Sequence, residues 1–295
     1  MILFYGEGRL GNQVFQYQAL SRLAKKGERV SAVGLEELQL VMDLRGPALT
    51  VLTRNGVLKR LVKFGILPLV RVLARDVRLL NYCTETRDLA PSRPGPSGEM
   101  SRKPGLLRSI TLVDGGWYQN SFFWGTFFPA STFRLNDRLS DKARETLAPY
   151  CAGGRQPIFV HVRRGDYLTH AEYGLTGFTL PLEYYLHAIR EIRKHVADLV
   201  PIFVTDDPDW VRQNFQPVTD KVIVSSDAET DFAIMTECRG GILSNSTFSL
   251  AAALMLPEPA VVIAPEHWMG FRAKRWYPPK IRFEHPALIY IPVRE

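Results

Sequence analysis

The chain has little cysteine: Cys83, Cys151 and Cys238 in 295 residues, with no CxxC and no metal-ligand spacing. That excludes a disulfide-framed secreted scaffold and a thiolate zinc site, and it fits reduced thiols in a cytosolic chain. Long apolar runs are also missing. The longest, around Phe64–Ala74 and Leu250–Leu256, fall short of the roughly 18 residues that cross a bilayer, and Pro68 and Arg71 break the first. Met1-Ile2-Leu3-Phe4-Tyr5 meets glycine at once and is too short to serve as a signal peptide, so the expected location is the cytoplasm. No aromatic-basic recognition module is visible, and nucleic acid is not an expected partner.

What is present describes an ordinary folded protein, 46% hydrophobic and 23% charged. Its length suggests two domains, 1–150 and 151–295, joined through Pro149–Pro157 with its Gly153-Gly154 pair. A net charge of +7 calls for an acidic partner. Residues 54–78 concentrate that charge, with seven bases (Arg54, Lys59, Arg60, Lys63, Arg71, Arg75, Arg78) against Asp76 alone. Leu58, Leu61, Val62, Phe64 and Leu67 interleave with them. Two readings stand: a basic amphipathic surface that could rest on anionic lipid at the inner face of the cytoplasmic membrane, or a solvated helix face over a core.

The first half opens as a βαβ unit. Ile2–Tyr5 reads as a strand, Gly6 to Gly11 as a turn, Asn12 to Lys26 as a helix and Arg29–Val33 as a second strand. Gly6, Gly8 and Gly11 match G-x-G-x-x-G, with Glu36 and Glu37 about 25 residues on. Glycines admit phosphate to the backbone and a helix N-terminus favours an anion, so an NAD(P)-dependent oxidoreductase is one reading. A packing turn is another. Asn12 and Gln13 are polar groups placed to touch a ligand. Residues 35–85 read as mostly helical, Pro91–Gly98 as a surface loop and Ile110–Asp114 as a strand. Phe122, Phe123, Trp124, Phe127 and Phe128 form either a sugar-stacking wall or a core.

The second half alternates strand and helix. Its centre is Ile158-Phe159-Val160-His161-Val162-Arg163-Arg164-Gly165-Asp166-Tyr167, a buried strand running into paired arginines. Ligands of open α/β sheets bind at such carboxyl ends, and arginine forks onto phosphate oxygens. Asp166 could orient one arginine while the other faces the ligand; a surface ion pair is the plainer reading. Further strands are expected at Pro201–Thr205, Lys221–Val224, Gly241–Ser244 and Ala260–Ala264, and helices at Pro181–Val196, after Asp207, at Asp231–Cys238 and at Leu250–Leu256. Asp207-Pro208-Asp209 has the D-x-D form of some metal sites but reads better as a helix start, with Asp207 the N-cap and Pro208 at N1. Asn245–Ser249 supplies either caps or an anion site. These pieces describe an α/β protein with two Rossmann-like domains facing a cleft suited to a diphosphate. With no convincing metal site, the arginines would neutralise the departing diphosphate.

Gly8-Arg9-Leu10-Gly11-Asn12-Gln13, His161-Val162-Arg163-Arg164-Gly165-Asp166-Tyr167 and Ser244-Asn245-Ser246-Thr247-Phe248-Ser249 resemble the blocks of bacterial α-1,2-fucosyltransferases. Weaker blocks agree in order: Asp114–Gln119, Pro181–Tyr185, Thr205–Trp210, and Val262–Pro265 with Trp268. The resemblance implies a GT-B type fold and inverting, metal-independent transfer of fucose from GDP-fucose to a hydroxyl of a glycan, O2 of a galactose. It implies an acceptor-side domain over 1–150 and a donor-binding domain over 151–295, and no cofactor beyond the donor. By the same resemblance Arg163 would hold the β-phosphate, with Arg164 and Asp166 supporting the loop. Asp231 would contact guanine, Ser246, Thr247 and Phe248 would line the phosphates, and Gly11 and Asn12 would approach the donor. His161 would touch the nucleotide or serve the strand. Glu172, with Glu7 behind it, is the candidate acceptor base. Leu250-Ala251-Ala252-Ala253 stands where the family often has a tryptophan pair, a smaller wall that could alter acceptor or linkage. A non-catalytic nucleotide- or glycan-binding relative is a further alternative.

Overall fold

The computed structural model describes residues 1–85, 100–119, 123, 132–172, 175–257, 261–277, 281–282 and 287–294, with Glu172 by its backbone alone. The expected loop at Pro91–Gly98 and the aromatics Phe122, Trp124, Phe127 and Phe128 lie outside them. Phe123 is fully buried and meets the Tyr118 ring edge-on at 5.1 Å, so this aromatic belongs to a core.

The chain divides into two compact units, Met1–Arg134 and Leu135–Glu295. The first holds β1 (Ile2–Tyr5), α1 (Leu10–Leu23), β2 (Val30–Val33), α2 (Glu36–Val41), β3 (Leu49–Val51), α3 (Gly56–Leu61), α4 (Leu67–Arg75), β4 (Leu80–Glu85), β5 (Met100–Lys103) and β6 (Leu107–Asp114). Its sheet runs β3-β2-β1-β6-β4-β5, parallel except at the β4–β5 edge. Gly34, at φ +89°, ends β2 against Gly6; a Cβ there would lie 2.2 Å from the Gly6 carbonyl. The two glycines therefore let adjacent strand ends close on each other. The mostly helical reading of 35–85 needs correction, since it overlooks β3 and β4. A three-residue strand carries no readable period; pairing with Val30–Ala32 makes β3 a strand.

The second unit holds α5 (Asp137–Leu147), β7 (Gln156–Val162), α6 (Leu182–Ile192), β8 (Leu199–Thr205), α7 (Pro208–Asn214), β9 (Val222–Val224), α8 (Ala228–Thr236), β10 (Gly240–Ile242), α9 (Thr247–Ala253), β11 (Val261–Pro265) and β12 (Leu288–Ile291). The sheet order is β9-β8-β7-β10-β11-β12, parallel throughout. The complete burial of β7 beyond Gln156, and of β8, apolar except for His161 and Thr205, is what a parallel sheet covered on both faces requires. The chain steps from β7 one way to β8 and β9, then returns to place β10 on the other side. That reversal puts a topological switch point between β7 and β10, at whose carboxyl ends such sheets bind ligands. The edge strand β12 had no counterpart among the expected elements.

The break between units falls at residues 134/135, ahead of the glycine-rich join expected near 150. Helix α5 is tied to α8 in the second unit: Lys142 Nζ donates to Thr230 Oγ1 at 2.7 Å, Arg144 Nε to Glu237 at 3.1 Å, and the Ser140 hydroxyl to the same carboxylate. Turn composition signals a loop but not which side of it a helix packs against.

At the centre of the second sheet, Gly241 leaves room for Phe159: a Cβ would sit 2.2 Å from its ring. Gly241→Ala is expected to overpack this strand pair and lower stability by about 1–3 kcal/mol, read as a reduced urea midpoint at unchanged m-value.

Candidate functional site

Register builds the site. Val162, the last residue of β7, lies opposite Thr205, the last of β8, so the residues that follow emerge side by side. From β7 come Arg163 and Arg164; from β8, Asp206 and Asp207. Arg163 Nη2 lies 2.7 Å from Asp166 Oδ1 and Nη1 lies 2.9 Å from Asp206 Oδ2. Arg164 Nε donates to Asp207 Oδ2 at 3.0 Å, and its guanidinium lies 4.0 Å from the Trp210 ring centroid. The Arg164 backbone N–H donates to Asp206 Oδ1 at 2.8 Å. Asp206 thus orients the Arg163 head group with one oxygen and ties down the loop with the other. A Cβ on Gly165 would come within 2.7 Å of Asp206 Oδ2, so glycine at this position lets the carboxylate in.

Asp166 does pair with one arginine, Arg163, but the other, expected to face the ligand, is itself held by Asp207. Both are held by carboxylates, and Asp206, to which no role was attached, is the shared partner. Strand adjacency, which the sequence does not state, is the signal that finds it. The Asp166 carboxylate is 61% exposed and that of Asp206 26%, so the Asp166 contact is the weaker constraint on Arg163. The D-x-D stretch is a helix start: Asp207 Oδ1 accepts from Trp210 N–H at 3.1 Å, Pro208 occupies the first turn, and Asp209 pairs with Arg212. Among the described residues no group of three or more His, Cys, Asp or Glu is placed to hold a metal.

The other arm of the switch point follows β10. His161 is buried, and its Nδ1 lies 2.8 Å from the Ser244 hydroxyl. Burial, helped by the Arg163 charge, lowers its pKa to about 3, so the ring is neutral at ordinary pH. Its ring packs 5.6 Å from Phe248, which meets Phe232 at 5.4 Å. Tyr184 donates to the Leu243 carbonyl at 2.8 Å and Asn245 Nδ2 to that of Phe178 at 2.8 Å, fixing the turn from below. Ser246 accepts from Phe248 N–H at 3.3 Å, which is a helix cap. Thr247 opens α9. Leu250, Ala251, Ala252 and Ala253, the smaller wall of the sequence reading, are all buried.

Asp231 lies in the first turn of α8, beside Phe232. Burial raises its pKa to about 7; the Ser226 N–H at 3.0 Å opposes this, the Asp227 charge adds to it, and Lys142 opposes it. Glu172 sits in a short hairpin opposite Leu175, and its side chain lies outside the described residues.

In the first unit the glycine turn is locked from within. Leu10 N–H, a first-turn donor of α1, donates to Glu37 at 2.8 Å, so a carboxylate of the chain itself takes the place that a pyrophosphate would need in the dinucleotide reading. Gln13, expected to touch a ligand, is buried instead. Its amide nitrogen donates to Gly8 O at 3.3 Å and its oxygen accepts from Leu38 N–H at 3.0 Å. Gly11 is buried inside α1. Asn12 Oδ1 accepts from Gln119 Nε2 at 2.7 Å, which joins the first block of the resemblance to the one at Asp114–Gln119. Glu7 pairs with Lys63 at 2.7 Å.

A model of "Glycosyl transferase family 11" matches residues 113–275. The O-antigen biosynthesis glycosyltransferase WbnK of Escherichia coli is 32% identical over 116 residues, covering 38% of each chain. Galactoside alpha-(1,2)-fucosyltransferase 1 of Aotus azarae is 32% identical over 147 residues, 45% of this chain and 39% of its own. The chain thus spans about two fifths of these relatives. An alpha-1,2-colitosyltransferase of Escherichia coli is 26% identical over 284 residues, 88% of this chain and 90% of its own. The solved fucosyltransferase NodZ from Bradyrhizobium superposes with a TM-score of 0.49 at 13% identity, over 87% of this chain and 93% of its own. With residues 113–275 matched, including β7, the paired arginines and the turn after β10, the chain belongs to glycosyl transferase family 11.

Proposed function

We propose that the protein transfers fucose from GDP-fucose to a galactose hydroxyl, O2, of a glycan, with inversion and without a metal. The observation that carries this reading is the Arg163–Asp206 pair at the switch point. A pre-oriented guanidinium there is an electrostatic catalyst aimed at a leaving diphosphate. In the reaction the acceptor oxygen bonds to the anomeric carbon from the face opposite the diphosphate, and the bond from that carbon to the β-phosphate oxygen breaks. The acceptor proton passes to a base, for which Glu172 is the candidate. The β-phosphate takes the place of exposed Asp166 on Arg163, while Asp206 keeps the guanidinium aimed. Arg164 anchors the loop through Asp207 and Trp210. His161 stays neutral and holds Ser244; Ser246, Thr247 and Phe248 flank the phosphates. Asp231 accepts from guanine. Gly11 and Asn12 are the first unit's candidate substrate contacts.

We assign the donor role to the second unit and the acceptor role to the first. The acceptor is a membrane-linked glycan reached from the cytoplasmic side, with peripheral contact through residues 54–78. The relative covered nearly end to end is named for colitose, which is fucose lacking one hydroxyl, so the colitose nucleotide is the competing donor.

Calorimetric titration with GDP, GDP-fucose, the colitose nucleotide, GDP-mannose, UDP-glucose and NADH, with EDTA present, tests the donor. Binding of GDP and GDP-fucose is expected; binding of NADH alone would overturn the reading, and binding without turnover on any acceptor would leave a non-catalytic relative. Arg163→Ala is expected to cut kcat by about 10²–10³-fold with an unchanged circular dichroism spectrum. Asp206→Asn should lower kcat with little change in KM, because it misaims Arg163 rather than removing a substrate contact. Wild-type turnover in Arg163→Ala would rule out the mechanism.

Guanine needs the Asp231 carboxylate, and the raised pKa means that this group is protonated as pH falls below about 7. GDP-fucose, whose diphosphate stays ionised over this range, should therefore bind about tenfold more weakly near pH 6 than near pH 8. Asp231→Asn should flatten that dependence. A flat wild-type profile would remove Asp231 from the donor site.

A further inference from the structure

Helices α3 and α4, joined by a π-helical turn at Val62–Ile66, form one rod over residues 56–75, roughly 30 Å long. Its inner side is anchored where Leu67 and Ala74 pack with Leu80, Tyr82 and Leu112. Its outer side is apolar. Val57, Leu61, Phe64, Leu69 and Val72 stand exposed, Val57 at 75% and Phe64 at 74%. Their spacings are four, three, five and three. The five crosses the π turn, whose wider repeat absorbs one residue and keeps the later side chains on the stripe. Val77, Leu106 and Leu107 extend the exposed patch past the rod's end, where Leu106 N–H donates to Arg78 O at 2.8 Å. The rod does lie over a core, through Leu67 and Ala74, but the face it turns to solvent is apolar where a solvated surface helix would carry polar side chains.

Bases border the stripe. Lys59, Lys63, Arg71 and Arg75 are paired with Glu36, Glu7, Asp114 and Asp76, while Arg54, Arg60, Arg78 and Arg108 are exposed around the stripe and supply its positive charge. Among the described residues no helix is long and apolar enough to cross a membrane. We propose that the 56–75 rod docks this protein in the interface of an anionic lipid bilayer, with Leu61 and Phe64 among the acyl chains and the arginines at the head groups. Charge decides the occupant: a second copy would bring two such basic faces together. The position is also suited to the work. Lys63 reaches Glu7 at 2.7 Å and lies 6.0 Å from the Tyr5 ring, so the rod flanks the glycine turn after β1. Docking itself is independent of the sugar transferred; only the supply of a lipid-linked acceptor at that turn rests on the proposed function.

The test is cosedimentation of the purified protein with phosphatidylcholine vesicles with and without phosphatidylglycerol. Binding is expected to the anionic vesicles and to weaken with salt, while the neutral ones bind little. Leu61→Ser with Phe64→Ser, and separately Arg54→Glu with Arg60→Glu, should each lower partitioning about tenfold or more while circular dichroism and GDP-fucose binding stay as in wild type. Absence of binding to anionic vesicles, or binding that neither pair of substitutions alters, overturns the proposal. A doubled mass in light scattering that reverts with Leu61→Ser and Phe64→Ser would assign the stripe to a second copy and overturn it equally.

Discussion

The second unit's site depends on one carboxylate. Asp206 bonds the Arg163 guanidinium with one oxygen and the Arg164 backbone with the other, so it sets both where the loop after β7 runs and where its charge points. It can do so because β7 and β8 are parallel neighbours whose last residues lie in register. A guanidinium with several rotatable bonds would otherwise spread its charge over many positions, and the Asp206 bond confines it to one. Arg164 is held differently, by Asp207 and by the face of Trp210. The same Asp207 caps the helix carrying Trp210, so one residue ties loop, helix and arginine together.

His161 and Asp231 are buried titratable groups of the second unit, and burial pushes both toward neutrality. His161 is held uncharged, which suits a strand residue beside an arginine and makes it a fixed hydrogen-bond partner for Ser244. Asp231 is pushed up to about 7, so a small gain of partners on binding would settle its charge. Keeping Asp231 ionised costs the folded chain, because burial favours its protonated form. Stability from this group therefore falls as pH rises from the ordinary aspartate range through about 7.

The first unit arranges its polar groups for another purpose. Gln13 and Glu37 bond to the backbone of the glycine turn and the start of α1, closing a feature that in other proteins is left open for a pyrophosphate. What this unit leaves open lies on its outer face, where an apolar stripe has no partner among the described residues and bases surround it.

The sequence by itself determined the α/β class, the run of parallel strands in the second half, the helix start at Asp207 and the membership of Arg163 and Arg164 in a strand-end loop. Each is local: an apolar run of fixed length, a cap before a proline, a charge directly after a strand. It also carried the ordered blocks of the resemblance, and the family match over residues 113–275 takes in those of the second half. Only the tertiary structure decided the rest. Strand adjacency made Asp206 the partner of both arginines, and pairing made strands of Leu49–Val51 and Leu288–Ile291. Packing assigned α5 to the second unit and turned Gln13 inward. It also turned Leu61 and Phe64 outward, since an amphipathic period shows that a helix has an apolar face and not what that face meets.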